Sequence, residues 1–168
     1  ADCAVFENSF NDTFLELAFL EASSDGINFF RFPATSLTST GTQVGSFGAT
    51  DATKINNLAG KYKANYGTPF DISELPDHSL LNKDKITHVK IIDVVGTINP
   101  QYGTLDSVGN IVNDPYPTNF ASGGFDLDAV GVINEFTEVL ATANLSKSDF
   151  QIYPNPTSDF VQIKSREE

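Results

Sequence analysis

Short apolar runs with the alternation of β-strands, separated by clusters of turn-forming residues, recur along this chain. The best hairpin joins residues 15–24 to residues 27–32 through an Asp-Gly pair at 25–26, which supplies the positive φ of a turn between antiparallel strands. Residues 86–95, β-branched and mostly alternating, and residues 125–133 predict two further strands. No strand–helix alternation and no strong amphipathic helix accompany them. The pattern predicts an all-β fold, a β-sandwich or jelly roll.

The charge balance excludes some partners. Among 168 residues, 22 are acidic and 10 basic, for a net charge of −12. Such a chain repels phosphate backbones and anionic membrane surfaces, so nucleic-acid binding is set aside. No apolar run approaches the roughly 18 residues of a membrane-spanning helix. The single cysteine, Cys3, excludes an internal disulfide and is expected to be a small buried residue.

The first residues resemble a strand already in progress, and no signal peptide is visible before them. We therefore expect the chain to be part of a longer precursor, with a leader and further strands preceding residue 1.

Two carboxylates stand out in the predicted strand 125–133. Asp126 and Asp128 are two residues apart, so strand alternation places both on one face, about 7 Å apart at the backbone. Carboxylates that close repel unless a cation or a proton lies between them, and calcium prefers oxygen ligands. Glu7 lies early in the chain, where a sandwich often pairs the first strand with the last, and is expected to join Asp126. The residues alone leave a structural calcium (Ca²⁺) site, a solvated acidic face and a catalytic carboxyl pair open.

A second oxygen-rich stretch, residues 106–114, contains Asp106, Asn110 and Asp114. Its spacing does not match the calcium loop of the EF-hand, and an Asx-turn loop is the preferred interpretation. Patterns typical of catalysis are missing, because His78 and His88 lie outside any metal-binding or triad motif. The sequence therefore predicts a protein that is not an enzyme.

Tyrosines in the predicted loops suggest a ligand site. An exposed tyrosine ring can stack on a sugar while neighbouring Asn and Asp side chains bind its hydroxyls. Packing of these rings against the rim of the sandwich is the alternative. The loops 65–70 and 101–118 carry the predicted ligand-binding residues, which are Tyr66, Tyr102, Asp114 and Tyr116.

The segment QIYPNPTSDFVQI, residues 151–163, resembles the start of the type A C-terminal sorting domain of the bacterial type IX secretion system. That resemblance implies export by the type IX machinery, followed by attachment to the cell surface or release. It predicts a binding domain at 1–137, a linker at 138–150 and a truncated start of the sorting domain at 151–168.

The body of the chain carries a second resemblance in five segments, 6–8, 21–26, 93–96, 114–118 and 122–131. They resemble a poorly characterised family of bacterial cell surface proteins. The family is similar to jelly-roll modules of the carbohydrate-binding or discoidin-like type. The resemblance implies a structural calcium held by Glu7 and Asp126, and a link to outer-membrane uptake systems, including those for corrinoids. An outer-membrane receptor is therefore a further expected partner.

Ser107 follows Asp106 and precedes Val108, a triplet that resembles the O-glycosylation acceptor of bacteria using this secretion route. Taken together, these features predict an extracellular, non-catalytic surface module that binds a glycan or another small nutrient. Three alternatives stay open. They are a ligand-capture accessory of an outer-membrane transporter, a structural or adhesive protein, and a glycoside hydrolase using Asp126, Asp128 or Asp93.

Overall fold

A computed structural model of the protein describes residues 1–119, 121 and 123–136, together with the backbone of two later strands, Phe150–Tyr153 and Gln162–Ser165. The chain divides into two compact units, Ala1–Phe136 and Thr137–Glu168. The predicted linker at 138–150 lies outside the described residues apart from its last residue. Most of the motif at 151–163 lies outside them as well.

Strands dominate the described residues, and helix is limited to two 3₁₀ turns at Ala52–Lys54 and Ile72–Glu74. The prediction of an all-β chain is therefore confirmed. Within the same residues, no helix has the length and apolar character needed to cross a bilayer. The strands are β1 (Cys3–Glu7), β2 (Ala18–Ser23), β3 (Phe30–Arg31), β4 (Thr35–Ser36), β5 (Ile55–Asn56), β6 (Thr68–Phe70), β7 (His88–Asp93), β8 (Leu127–Val132), β9 (Phe150–Tyr153) and β10 (Gln162–Ser165).

The first sheet has the order β6-β1-β8, with both pairs antiparallel. The first and last strands of the unit thus lie side by side, as expected for a sandwich. Their register opposes Cys3 to Val132 and shifts between Phe6 and Glu7, which marks a β-bulge. Among the described strands β8 is at the edge of this sheet.

The second sheet has the order β3-β2-β7, again antiparallel. The predicted hairpin is confirmed, because β2 pairs with β3 across a loop in which Gly26 has a φ of +75°. Asp25 organises that loop by accepting hydrogen bonds from the backbone N–H groups of Ile27 and Asn28, both at 2.8 Å. A separate two-stranded pair joins β4 to β5.

Strand β2 is buried on both faces, which explains its continuous apolar sequence. One face packs with residues from both three-stranded sheets into a shared core: Val5, Ala18, Leu20, Ala22, Phe32, Ala59, Phe70 and Leu75. The other face, together with loop residues, forms a second cluster: Leu15, Leu17, Phe19, Ala34, Ile55, Leu58, Val94 and Val112.

The second unit is described only by its hairpin, in which β9 and β10 pair antiparallel. Its register opposes Tyr153 to Gln162 and Phe150 to Ser165.

Candidate functional site

Five carboxylates gather where strands of both sheets end. β1 and β7 end here, β2 and β8 begin here, and a loop of residues 113–118 folds against the start of β2. Within the described part of the chain, no lysine, arginine or histidine forms an ion pair with any of the five. The members of this carboxylate cluster are Glu7, Glu16, Asp93, Asp114 and Asp126.

Two members of the carboxylate cluster bury an oxygen that has no hydrogen-bond partner. Glu7 is 1% exposed, and while its Oε2 accepts from the Ser9 N–H at 2.8 Å, its Oε1 has no donor. Asp114 is 3% exposed, and while its Oδ2 accepts from the Leu17 N–H at 3.1 Å, its Oδ1 has none. A buried charged oxygen without a partner is costly, so these two atoms call for a proton or a cation.

Glu16 and Asp93 are held by the glycine-rich segment before β8. Glu16, 4% exposed, accepts from the Gly124 N–H at 2.8 Å, and Asp93 accepts from the Phe125 N–H at 3.2 Å. Gly124 has a φ of +95°, and a Cβ there would lie 2.6 Å from Asp93 Oδ2. Only glycine fits this close approach without displacing the carboxylate.

The electrostatics raise the pKa values of four members of the carboxylate cluster, Glu7, Glu16, Asp93 and Asp114, and so favour their neutral forms. Burial raises the pKa of Glu16 from its ordinary 4.5 to about 7, and the nearby charges of Glu7, Asp126 and Asp93 add to the effect. Burial likewise raises the pKa of Asp114 well above its ordinary value, with Asp93, Glu16 and Glu7 adding to it. Desolvation raises the pKa of Glu7 and of Asp93 in the same way, and Asp126 contributes to both. Desolvation is the largest cause in all four groups, and repulsion between the carboxylates adds to it.

The structure brings two of the three residues predicted to bind metal into this cluster. Glu7 and Asp126 are electrostatic neighbours, and the Asn8 side-chain amide donates to Asp126 at 3.4 Å. Asp128 lies apart and exposed, because the bulge opposite Phe6 and Glu7 interrupts the alternation that would have placed it beside Asp126. In the described residues, no three acidic, histidine or cysteine side chains stand close enough as placed to hold a metal ion.

Four loops at the same end of the strands are joined to one another by hydrogen bonds. We call residues 8–14, 44–50, 61–67 and 114–118 the aromatic loop end. Loop 8–14 follows Glu7 directly, and loop 114–118 begins at Asp114, so both are rooted in the carboxylate cluster. The joining bonds run from Thr50 N to Thr13 O (2.7 Å), Ala64 N to Ser9 O (2.7 Å), Tyr116 N to Val44 O (3.0 Å) and Ser46 Oγ to Pro117 O (2.5 Å).

Three phenylalanine rings stack across this end. Phe14 is buried beneath Phe10 and Phe47, with ring centroids 4.8 and 6.0 Å away. Phe10 is 72% exposed and Phe47 74%. Sequence reasoning missed these residues because it looked for tyrosines and because two separate loops contribute the rings. An ion pair between Lys63 and Asp12, at 2.9 Å, joins loop 61–67 to loop 8–14.

The four residues predicted to bind a ligand lie at three separate locations in the structure. Tyr66, 62% exposed, and Tyr116 both belong to the aromatic loop end, and Lys63 Nζ lies 5.7 Å from the centre of the Tyr66 ring. Tyr102 is exposed in a separate turn closed by its own N–H to the Asn99 carbonyl. Asp114 is interior rather than on the loop surface, so it belongs with the carboxylate cluster and not with the tyrosines.

The stretch 106–110 is an Asx-turn loop, as preferred from its spacing. Asp106 accepts hydrogen bonds from the backbone N–H groups of Val108 and Asn110 and, on its other oxygen, from Ser36. Burial alone would raise the pKa of Asp106, but these hydrogen bonds outweigh it and hold the pKa below its ordinary value. Ser107 is exposed, and its hydroxyl oxygen accepts from the Ala34 N–H at 2.9 Å.

A groove of about 840 Å³ lies at the opposite end of the strands, between β8 and β7. Its walls mix apolar side chains with charged ones, and Cys3, half-buried, lines it from β1. None of the five clustered carboxylates lines it. Representative lining residues are Phe32, Ile86, Val89, Val130 and Lys83.

Comparison with known proteins yields no relative for this chain: no family model matches it, and neither a curated protein nor a solved structure is significantly similar.

Proposed function

We propose that the protein is a non-catalytic surface module that binds a glycan through its aromatic loop end. The observation that carries the proposal is the stack of the exposed rings of Phe10 and Phe47 on Phe14. Exposed Tyr66 lies on a further loop that a hydrogen bond joins to the loop of Phe10. Exposed rings on fixed loops present flat faces to a sugar, while nearby polar groups bind its hydroxyls. Large apolar rings left in water are otherwise unfavourable, which supports a binding role.

The proposal also covers the fold type and the cellular location of the protein. We take the two antiparallel sheets with a shared core as a jelly-roll sandwich of the carbohydrate-binding or discoidin-like type. Export by the type IX secretion machinery to the bacterial cell surface rests on the resemblance of residues 151–163 alone. The expected calcium ion has a structural role in this scheme, holding the first strand to the last through Glu7 and Asp126.

A glycan array probed with the full chain tests the binding proposal. Array hits should weaken at least about tenfold in Phe10→Ala and in Tyr66→Ala, because each change removes one stacking face. Leu37→Ala is the matched control, since Leu37 is an exposed apolar side chain outside the four loops. Absence of any glycan binding, or equal loss in all three variants, would contradict the proposal.

Capture of a small nutrient is the second candidate, and the groove between β7 and β8 favours it. Its volume of about 840 Å³ is within the range of small-molecule pockets, and its walls combine apolar surface with a few charged groups. A corrinoid titration beside the glycan array separates the two. Tight corrinoid binding without glycan binding would move the function to this groove and to an outer-membrane uptake system.

Hydrolysis is a third candidate function, because the raised pKa of Glu16, about 7, is typical of a catalytic acid. Glu7, Glu16 and Asp114 are, however, buried, and a glycosidic bond must reach both carboxyl groups of a catalytic pair. Release of sugar from any array hit, abolished by Glu16→Gln in a folded protein, would establish an enzyme instead of a binding module.

A further inference from the structure

Two edge strands border the groove between β7 and β8. Each of them pairs with a single neighbour among the described strands, β7 with β2 and β8 with β1. An edge strand leaves a row of backbone N–H and C=O groups without partners, and another extended chain can pair with that row. Apolar side chains line both walls of the groove, with Ile86 and Val89 on the side of β7 and Val130 and Val132 on the side of β8.

The β1–β8 register shows which backbone groups of β8 face the open edge. Extended by one pair, it places Ile133 opposite Asp2, and the Ile133 N–H donates to the Asp2 carbonyl at 2.8 Å. Hydrogen-bonded pairs alternate with non-bonded pairs in an antiparallel ladder, so Gly131 also bonds to β1. The N–H and C=O groups of Val130 and Val132 therefore point away from β1. In the part of the chain that the structure describes, no backbone hydrogen bond from outside the sheet reaches these two residues.

The edge of β7 is open in the same way, but it carries a lysine. The Val94 N–H donates to the Leu17 carbonyl at 3.1 Å, so alternation along the β2–β7 register turns the backbone of Val89 and Ile91 away from β2. Exposed Lys90 lies between them, and a lysine on an edge strand opposes the addition of another strand. Strand β8 contains neither lysine nor proline, so it is the less protected of the two edges.

The charges around the groove favour a basic partner. Four carboxylates and two lysines line it, namely Asp2, Asp71, Asp84 and Glu135, and Lys83 and Lys85. Lys83 is already paired with Asp77 at 2.7 Å. Asp84 and Glu135 are exposed, and within the described residues neither forms an ion pair. Since the whole chain also carries a net charge of −12, a peptide with lysine or arginine is attracted to this edge.

We propose that the groove binds an extended basic peptide of a partner protein as an added strand beside β8, through the backbone groups of Val130 and Val132. Alternate apolar side chains of the peptide fill the groove against Val89, and a lysine or arginine at its end reaches Glu135. In this mode of recognition main-chain hydrogen bonds give affinity, and the side-chain contacts give specificity. The proposal is independent of glycan binding, because the aromatic loop end lies at the other end of the strands.

Fluorescence polarisation of three short peptides with the full chain tests the proposal. The first is a fluorescein-labelled peptide that alternates valine with threonine and ends in lysine. The second has glutamate in place of the lysine. The third is N-methylated at its valines, whose N–H groups would face β8. We expect saturable binding of the lysine-ended peptide, and binding at least about tenfold weaker for the other two.

Proline variants identify the edge that the peptide uses. Val132→Pro removes an N–H that faces away from β1, so the β1–β8 ladder is kept while binding of the lysine-ended peptide should fall at least about tenfold. Val89→Pro is the matched control, because it removes the corresponding N–H of β7, and it should change the affinity less than about threefold. Glu135→Gln should reduce the preference for the lysine-ended peptide over the glutamate-ended one. Circular dichroism of each variant confirms that it is folded.

Four results would overturn the proposal. They are the absence of saturable binding of the lysine-ended peptide, equal binding of the N-methylated peptide, an equal or larger loss in Val89→Pro, and a dimer of the free chain that Val132→Pro abolishes. The comparison of the three peptides uses the unchanged protein, so it does not depend on the folding of any variant. No glycan is present, so failure here is distinguishable from failure of the glycan proposal.

Discussion

At the residue scale, Gly124 shows how one backbone position sets the chemistry of a site. Its N–H donates to Glu16, and its missing side chain makes room for Asp93 Oδ2. The glycine pair at 123–124 was visible in the sequence, but its partners were not, because they lie more than thirty residues away along the chain. The two glycines thus indicated an unusual backbone position but did not identify Glu16 and Asp93 as its partners.

Gly124→Ala should lower the free energy of unfolding by about 2 kcal/mol or more, because alanine at positive φ costs about 1 kcal/mol and the added Cβ displaces Asp93. Gly109→Ala is the matched control. Gly109 has a φ of +88° but nothing within 4 Å of the added carbon, so only the backbone cost applies. Urea unfolding of both variants measures the difference. Equal destabilisation would show that the approach to Asp93 is unimportant.

Glu16→Gln should change the pH dependence of stability in the presence of chelator. The folded pKa of Glu16, about 7, exceeds its ordinary 4.5, so its contribution is fully present below pH 4.5 and is lost as the pH rises through 7. The wild type should therefore lose stability across this window, by an amount on the order of 3 kcal/mol. The glutamine variant should show a smaller slope, and Asp128→Asn an unchanged one. Urea unfolding at several pH values measures these slopes.

At the element scale, local signals predicted the strands and general topology predicted one pairing. The Asp-Gly turn predicted the β2–β3 hairpin. The pairing of β1 with β8 was predicted because first and last strands often lie side by side in a β-sandwich. The bulge opposite Glu7 had no sequence signal, and it separated Asp128 from Asp126. The stack of Phe10, Phe14 and Phe47 was equally hidden, because tertiary hydrogen bonds bring its two loops together.

Asp106→Ala should destabilise the 106–110 loop and its junction with β4. The change leaves the N–H groups of Ser36, Val108 and Asn110 without their acceptor, at a cost of about 1–3 kcal/mol in unfolding free energy. Asp106→Asn keeps an acceptor oxygen and should lose less. Denaturant unfolding of the two variants gives the comparison, and identical values would mean that the carboxylate does not hold this loop.

At the scale of the whole molecule, the protein combines a net charge of −12 with a partly buried carboxylate cluster at one end of its two three-stranded sheets. Several other carboxyls, including Asp51 and Asp71, have lowered pKa values because hydrogen bonds stabilise their charged forms. Their contributions are lost only as the pH falls below about 4. Between pH 4.5 and 7 the raised pKa of Glu16 therefore dominates the response, and we expect either protons or calcium to relieve the repulsion within the cluster.

The thermal melting temperature of the full chain, measured at about pH 5 and about pH 7.5 with chelator or with calcium, tests this account most directly. We predict that in chelator the protein melts at a lower temperature at the higher pH, and that calcium raises the melting temperature strongly there but little at the lower pH. A melting temperature that rises with pH in chelator, or that calcium leaves unchanged near pH 7.5, would contradict it.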